Sequence, residues 1–344
     1  MITDEIRQCR EAWGDRLLIL GHHYQCSEIV ACCDAVGDSL ELSRLAAESK
    51  AERIVFCGVR FMAETADILS RAEDGRSCGR SVWLPDPAAG CPMADMATEP
   101  ALEAAWQALS EVAGEPLVPV VYVNSSAEVK AFCGRHGGSA CTSGNGRRVV
   151  KHFLDQGKRL FFAPDQHLCT NILRELGYPP SAVGIWRRGL ELGGLTAGQI
   201  RTARLIAWDG CCPIHAGYTI QDVSTARAQH PGARLVIHPE APSPVAALAD
   251  QTGSTRAIID AVRRSDEGET FLVGTEQHLV ERLARDFPGK AIHPLRPIVC
   301  GDMDRTSPEQ LLELLTTWPE ECLVRVPDAI VPDARTCVER MLAL

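Results

Sequence analysis

LLILGHHYQ, residues 17–25, is a short apolar run that stops on two histidines and a tyrosine. VPVVYVNSS at 118–126 and ARLVIHPEA at 233–241 do the same, each ending on polar, chemically capable residues. Runs of this length and composition read as buried strands. An alanine- or cysteine-rich helical stretch follows each, and then a small polar turn: VGDS (36–39), CTSGN (141–145) and TGST (252–255). A helix and a second strand come next, RIVFCGV (53–59), RLFFAPD (159–165) and TFLVGT (270–275), each running into a further helix. Third strands follow at SVWLPD (81–86), RLIAWDG (204–210) and KAIHPL (290–295). Shortly after each stands a cysteine: Cys91, Cys211 or Cys212, and Cys300. A helix with a threonine near its start comes after each cysteine, at Thr98, Thr219 and Thr306; TSPE at 306–309 reads as a capping box.

The order β-α-β-α-β-loop-α thus occurs three times. Strands alternating with helices at this spacing predict α/β architecture: three similar α/β/α sandwich domains with short parallel sheets. Packed around a pseudo-threefold axis, their equivalent loops converge. The predicted repeats span 1–91, 92–212 and 213–300, with a helical segment at 301–344 packing back on the first. GYPPSAVGIWRRGLELGG, at 177–194, reads as an insertion making a surface excursion. Right-handed crossovers put the carboxyl ends of all strands on one edge, where ligands bind in such sheets.

Composition narrows the function. The 344 residues carry a net charge of −10 with no basic stripe, which argues against nucleic acid or an anionic membrane as partner. The amino-terminal stretch has no apolar signal-type core, and no apolar run is long enough to span a bilayer, so a cytoplasmic location is expected. The 15 cysteines are odd in number and none are spaced C-x-x-C. That disfavours a disulfide framework, zinc ribbons and ferredoxin-type clusters. Most are expected to be small buried residues. One cysteine from each repeat, meeting at one point, is different: three thiolates on one centre leave a position open for substrate or water. A zinc ion and a [4Fe–4S] cluster both fit that description.

The chain resembles the quinolinate synthase family. GHHYQ, DAVGDSLELSRLAA, IVFCGVRFMAETADIL, LPDPAAGCPMAD, YVNSSAEVKA, CTSGN, APDQHL, GCCPIH, VIHPE and VALADQTGST carry the resemblance, from residue 21 to about 300. It implies three sandwich domains with pseudo-threefold symmetry. It also implies condensation of iminoaspartate with dihydroxyacetone phosphate to quinolinate, with release of phosphate and water, on the route to NAD. Coupling to an iminoaspartate-producing enzyme goes with that activity. The resemblance selects an oxygen-sensitive [4Fe–4S] cluster over zinc, with Cys91, Cys212 and Cys300 as its ligands and Cys211 a neighbour. His22, Tyr24 and Glu240 match the family's acid–base groups. Tyr122, Asn124 and His238 match substrate-orienting groups, and His215 lies near the cluster by sequence. Ser39, Ser143, Ser254 and Thr255 lie in turns that open helices, where hydroxyls and free N–H groups suit carboxylate and phosphate oxygens. Phe61 and Met62 are expected to line the pocket; Asp86, Asp165 and Asp302 end strands or loops and receive no role.

Two departures from the family pattern bear on substrate identity. Asp304 stands where a lysine is usual, and Arg256 where a serine is common. A paralogue making a related pyridine carboxylate is the alternative reading. A radical enzyme of the diphthamide-synthesis type and a non-catalytic iron–sulfur protein are disfavoured by the acid–base groups at all three strand ends.

Overall fold

The computed structural model of the protein describes residues 2–71 and 78–344. Its first sheet contains β1 (Leu17–His22), β2 (Ala35–Gly37), β3 (Arg53–Cys57) and β4 (Ser81–Trp83), all parallel, in the order β2-β1-β3-β4. The second contains β5 (Leu117–Tyr122), β6 (Ser139–Cys141), β7 (Arg159–Ala163), β8 (Val183–Trp186) and β9 (Leu205–Trp208), in the order β6-β5-β7-β9-β8. The third contains β10 (Arg234–Ile237), β11 (Gln251–Thr252), β12 (Thr270–Gly274) and β13 (Ala291–Pro294), in the order β11-β10-β12-β13. Strand order is therefore the same three times. Each first strand lies inside its sheet and is apolar nearly throughout, because helices cover both faces of a parallel sheet. Each polar turn read from the sequence follows an edge strand of two or three residues, too short to show any periodicity.

The three sheets are not independent bodies. One hydrophobic cluster joins Leu20 and Phe56 of the first, Val120 and Phe162 of the second, and Val236 and Phe271 of the third. The stretch at 177–194 is not only a surface excursion. It supplies β8, a fifth parallel strand on the edge of the second sheet, in register with β9 from Val183 to Trp186. Ile185 and Trp186 are the apolar residues that make this edge worth covering, and Trp186 is buried.

The last capping box is shifted by one residue from its expected place. Ser307, not Thr306, caps helix Pro308–Thr317, with Gln310 returning the bond. Proline is favoured in the first turn of a helix, where its missing N–H costs nothing, so the cap falls on the residue before Pro308. This helix packs on Ile2–Trp13 through Ile6, Leu311, Leu314 and Leu315. β14 (Leu323–Val324) then pairs antiparallel with β4 and covers the open edge of the first sheet. The final helix, Val331–Ala343, lies instead against Ala127–Arg135 of the second repeat.

That contact is close at Gly134, where a Cβ would overlap the backbone carbonyl of Asp333. On helix propensity alone, Gly134→Ala gains about 1 kcal/mol. Here the opposite sign is expected, a loss of roughly 1–3 kcal/mol from overpacking, read as a lower urea midpoint.

Candidate active site

All three sheets turn the carboxyl ends of their strands to one central cavity of about 180 Å³. β1 and the residues just past it bring His22 and Tyr24; β5 brings Tyr122 and Asn124; β10 leads to His238 and Glu240. The turns beside the edge strands add Ser39, Ser143 and Thr255. Cys91, Cys212 and Cys300 line the same space, with His215, Phe61 and Met62. Ser254 does not line it. Its hydroxyl caps helix Thr255–Arg264, accepting from the Ala257 N–H at 3.3 Å. Cys211 is also outside, its amide facing the Met96 sulfur at 3.5 Å.

Glu240 is bonded through both carboxylate oxygens. It is 2 % exposed, and one carboxylate oxygen accepts from the Tyr122 hydroxyl while the other lies 2.7 Å from His215 Nδ1. Burial works against its charge. His238, His215 and the bonds from His215 and Tyr122 outweigh burial and hold the carboxyl down at about 2. His238 stacks on His215 with ring centroids 4.2 Å apart and meets Ser143 Oγ at 3.2 Å. Burial, reinforced by His215, lowers His238 to about 3 and keeps it neutral. His22 is lowered too, by burial first and then by His23 and Arg282. Its Nδ1 accepts the Tyr24 backbone N–H at 3.1 Å, which places the ring proton on Nε2. Burial raises both phenols, Tyr24 and Tyr122, so each is a hydrogen-bond donor at neutral pH. The Tyr24 hydroxyl lies 2.8 Å from Thr275 Oγ1 and 3.1 Å from Thr255 Oγ1.

Neither lysine nor arginine is among the described residues that line the cavity. Positive potential comes instead from helix N-termini. Ser39 opens helix Ser39–Glu48, Thr255 opens Thr255–Arg264, and Ser143 lies just ahead of Gly146–Asp155. The aligned peptide dipoles there suit carboxylate and phosphate oxygens, while the Asp38 carboxylate, also at the cavity, already accepts from the Leu40 and Glu41 N–H groups. Asn124 Oδ1 is buried without a partner, a polar atom open to a ligand.

The three cysteine loops share one construction. After each second strand, the first amide of the following helix bonds a loop carbonyl: Arg60 to Ala89 at 2.8 Å, Gln166 to Gly210 at 2.9 Å, Gln277 to Ile298 at 2.9 Å. Each acceptor stands two residues before Cys91, Cys212 or Cys300. Beyond each cysteine its carbonyl accepts from the amide four residues on, Asp95, Ala216 or Asp304. By this pattern Cys212, not Cys211, is the equivalent of the other two. Acids pin the loops further. Asp165 accepts from the Cys212 N–H at 3.3 Å, Glu276 from the Cys300 N–H at 3.4 Å, and Asp302 from the Gly90 N–H at 3.1 Å. Sequence reasoning gave Asp165 no role and passed over Glu276 and Thr275. The visible signal was an acid at the end of the second and third repeats' second strands, in PDQHL and TEQHL.

Burial raises all three thiols, Cys91 to about 12. A bound cation would reverse that preference. Among the described residues, the one set of three such ligand atoms within 4.8 Å is Cys212, His215 and Glu240.

The profile of a protein family described as quinolinate synthetase A protein matches residues 4–343. A quinolinate synthase of Rhodopirellula baltica is 44% identical, over 100% of this chain and 91% of its own. Quinolinate synthases of Corynebacterium glutamicum and Bacillus velezensis are each 41% identical, over 98% and 97% of this chain and 86% and 90% of theirs. The thirteen-strand repeat plan, the shared cavity and these matches agree, and the chain belongs to the quinolinate synthetase A family.

Proposed function

We propose that this chain is a quinolinate synthase, condensing iminoaspartate with dihydroxyacetone phosphate to quinolinate with loss of phosphate and water, in the cytoplasm and on the route to NAD. The observation that carries the reading is the meeting of three equivalently built cysteine loops with acid–base groups from all three repeats in one cavity. Both substrates are small anions, in keeping with the helix N-termini at Ser39, Ser143 and Thr255. No helix among the described residues is long and apolar enough to cross a membrane. An enzyme that produces iminoaspartate is the natural supplier of the less stable substrate, and no nucleic acid is required.

Cys91, Cys212 and Cys300 hold a [4Fe–4S] cluster in this reading. When bound, the cluster supplies a Lewis acid through the iron that lacks a protein ligand. The rest is work for side chains. Glu240, ionised, accepts a proton from substrate carbon, while Tyr122 steadies its carboxylate. His22, with its proton on Nε2, and Tyr24, a buried phenol, serve the departing hydroxyl on the opposite wall. His238 and Ser143 orient a carboxylate, and the unpartnered Asn124 oxygen takes a substrate donor. Phe61 and Met62 exclude water from a reactive imine.

The two departures from the family pattern favour this reading over a paralogue. Arg256 is absorbed by Glu41 at 2.6 Å and Asp304 by His278 at 3.5 Å, and neither lines the cavity.

Protein purified without oxygen and supplied with aspartate, an aspartate-oxidising system and dihydroxyacetone phosphate is expected to form quinolinate, detected by chromatography. A protein with a full cluster and no quinolinate sinks the proposal in favour of a paralogue. Cys212→Ala is expected to lose iron and sulfide and Cys211→Ala to retain both; the reverse result would falsify the ligand assignment. Asp165→Asn keeps the helix cap but turns an NH2 toward the Cys212 amide. Iron loss to a chelator is expected to be on the order of 10–100-fold more favourable in that variant, as for other groups that support metal ligands.

A further inference from the structure

Thr275 follows β12 and is completely buried. It is not among the residues lining the cavity, yet its hydroxyl touches two that are. Oγ1 lies 2.8 Å from Tyr24 Oη and 3.4 Å from His215 Nε2. Its backbone carbonyl accepts from the Tyr218 hydroxyl at 2.7 Å, which fixes the residue from behind. Its neighbour Glu276 holds the Cys300 amide at 3.4 Å.

Counting protons gives these contacts a direction. The ionised Glu240 carboxylate is an acceptor only, so His215 Nδ1, 2.7 Å away, carries the proton between them. A neutral imidazole with its proton on Nδ1 presents a lone pair at Nε2. The group facing that lone pair is the Thr275 hydroxyl, which has a single proton to give. With that proton committed to His215, Thr275 can only accept from Tyr24. When His215 carries a single ring proton, the contacts form one oriented chain: Tyr24 donates to Thr275, Thr275 to His215, and His215 to Glu240, which also accepts from Tyr122. Tyr24 comes from the first repeat, Tyr122 from the second, and Thr275 and Glu240 from the third.

We infer that Thr275 is a positioning residue for the reaction: its hydroxyl holds His215 Nε2 and the Tyr24 hydroxyl in place, and so joins acid–base groups of different repeats. This rests on the quinolinate synthase reading. Without the hydroxyl, His215 Nε2 and Tyr24 Oη each lose a buried partner, and Tyr24 is left to Thr255 alone. Groups misplaced by a fraction of their hydrogen-bond length bind substrate still but react slowly, so the loss falls on turnover.

The test compares the cluster-loaded wild type with Thr275→Val and Thr275→Ser. Val keeps the volume and removes the hydroxyl; Ser keeps the hydroxyl. With iron and sulfide unchanged and the protein still folded, Thr275→Val is expected to lose on the order of 10²-fold in kcat, with far less change in the KM for dihydroxyacetone phosphate. Thr275→Ser is expected to recover most of the activity. In a Tyr24→Phe background, Thr275→Val is expected to cost much less than it does alone, because the two act through one contact. Wild-type turnover in Thr275→Val overturns the inference, and so does a Ser variant as slow as Val. If Val is not tolerated in folding, Thr275→Ala replaces it, and equal kcat in the Ala and Ser variants overturns the inference. A wild type that makes no quinolinate is a different failure, that of the functional reading itself.

Discussion

A carboxylate taken out of water must find donors or lose its charge, and the buried Glu240 carboxylate is where this constraint bears on the whole molecule. Its partners are the Tyr122 phenol and the His215 imidazole, with Tyr24 behind them through Thr275. These residues sit at the ends of strands from three different sheets. The sheets can satisfy Glu240 only by meeting with their carboxyl edges inward, so the electrostatics of one group and the packing of three repeats are a single problem. The continuous apolar cluster through Leu20, Val120 and Val236 is the other half of its solution.

The repetition is close in backbone and loose in side chains. All three cysteine loops are held by the same helix-amide to carbonyl bond. The acids that support them differ. Asp165 and Glu276 occupy equivalent helix caps in the second and third repeats, whereas Val59 stands there in the first. The first loop is held from the far end of the chain, by Asp302 at Gly90 and by Arg305 on Asp86 at 2.9 Å. The segment after Cys300 thereby closes a ring of loops that would otherwise have one weak member.

Much of this was legible because the informative stretches are local. β1, β5 and β10 are continuous apolar runs with polar ends, and the residues after them reach the cavity because parallel sheets with right-handed crossovers leave no other edge for them. The edge strands were not legible, since two or three residues carry no period. β8 was hidden inside a stretch rich in glycine and proline, whose composition reads as loop. Ser254 shows the limit of a motif: a serine in a turn before a helix is a cap or a ligand group, and here it is a cap. Thr275 was out of reach for another reason. A threonine after an apolar strand has no local peculiarity, and its meaning lies in partners at positions 24 and 215. Cys211 and Cys212 could be told apart by family pattern, and the structure adds a reason in the carbonyl of Gly210 two residues ahead.

The order in which the three loops occur along the chain has a consequence for biogenesis. A growing chain exposes Cys91, then Cys212, and only near its end Cys300 with the Asp302 and Arg305 contacts that brace the first loop. Apart from β14 on the edge of the first, each sheet is local enough to form as it emerges, since its strands are neighbours in sequence. The cavity is not, for no two repeats enclose it. Thiols and the Glu240 carboxylate thus stay accessible to water until synthesis is nearly complete. Assembly of the site is a post-translational event imposed by topology.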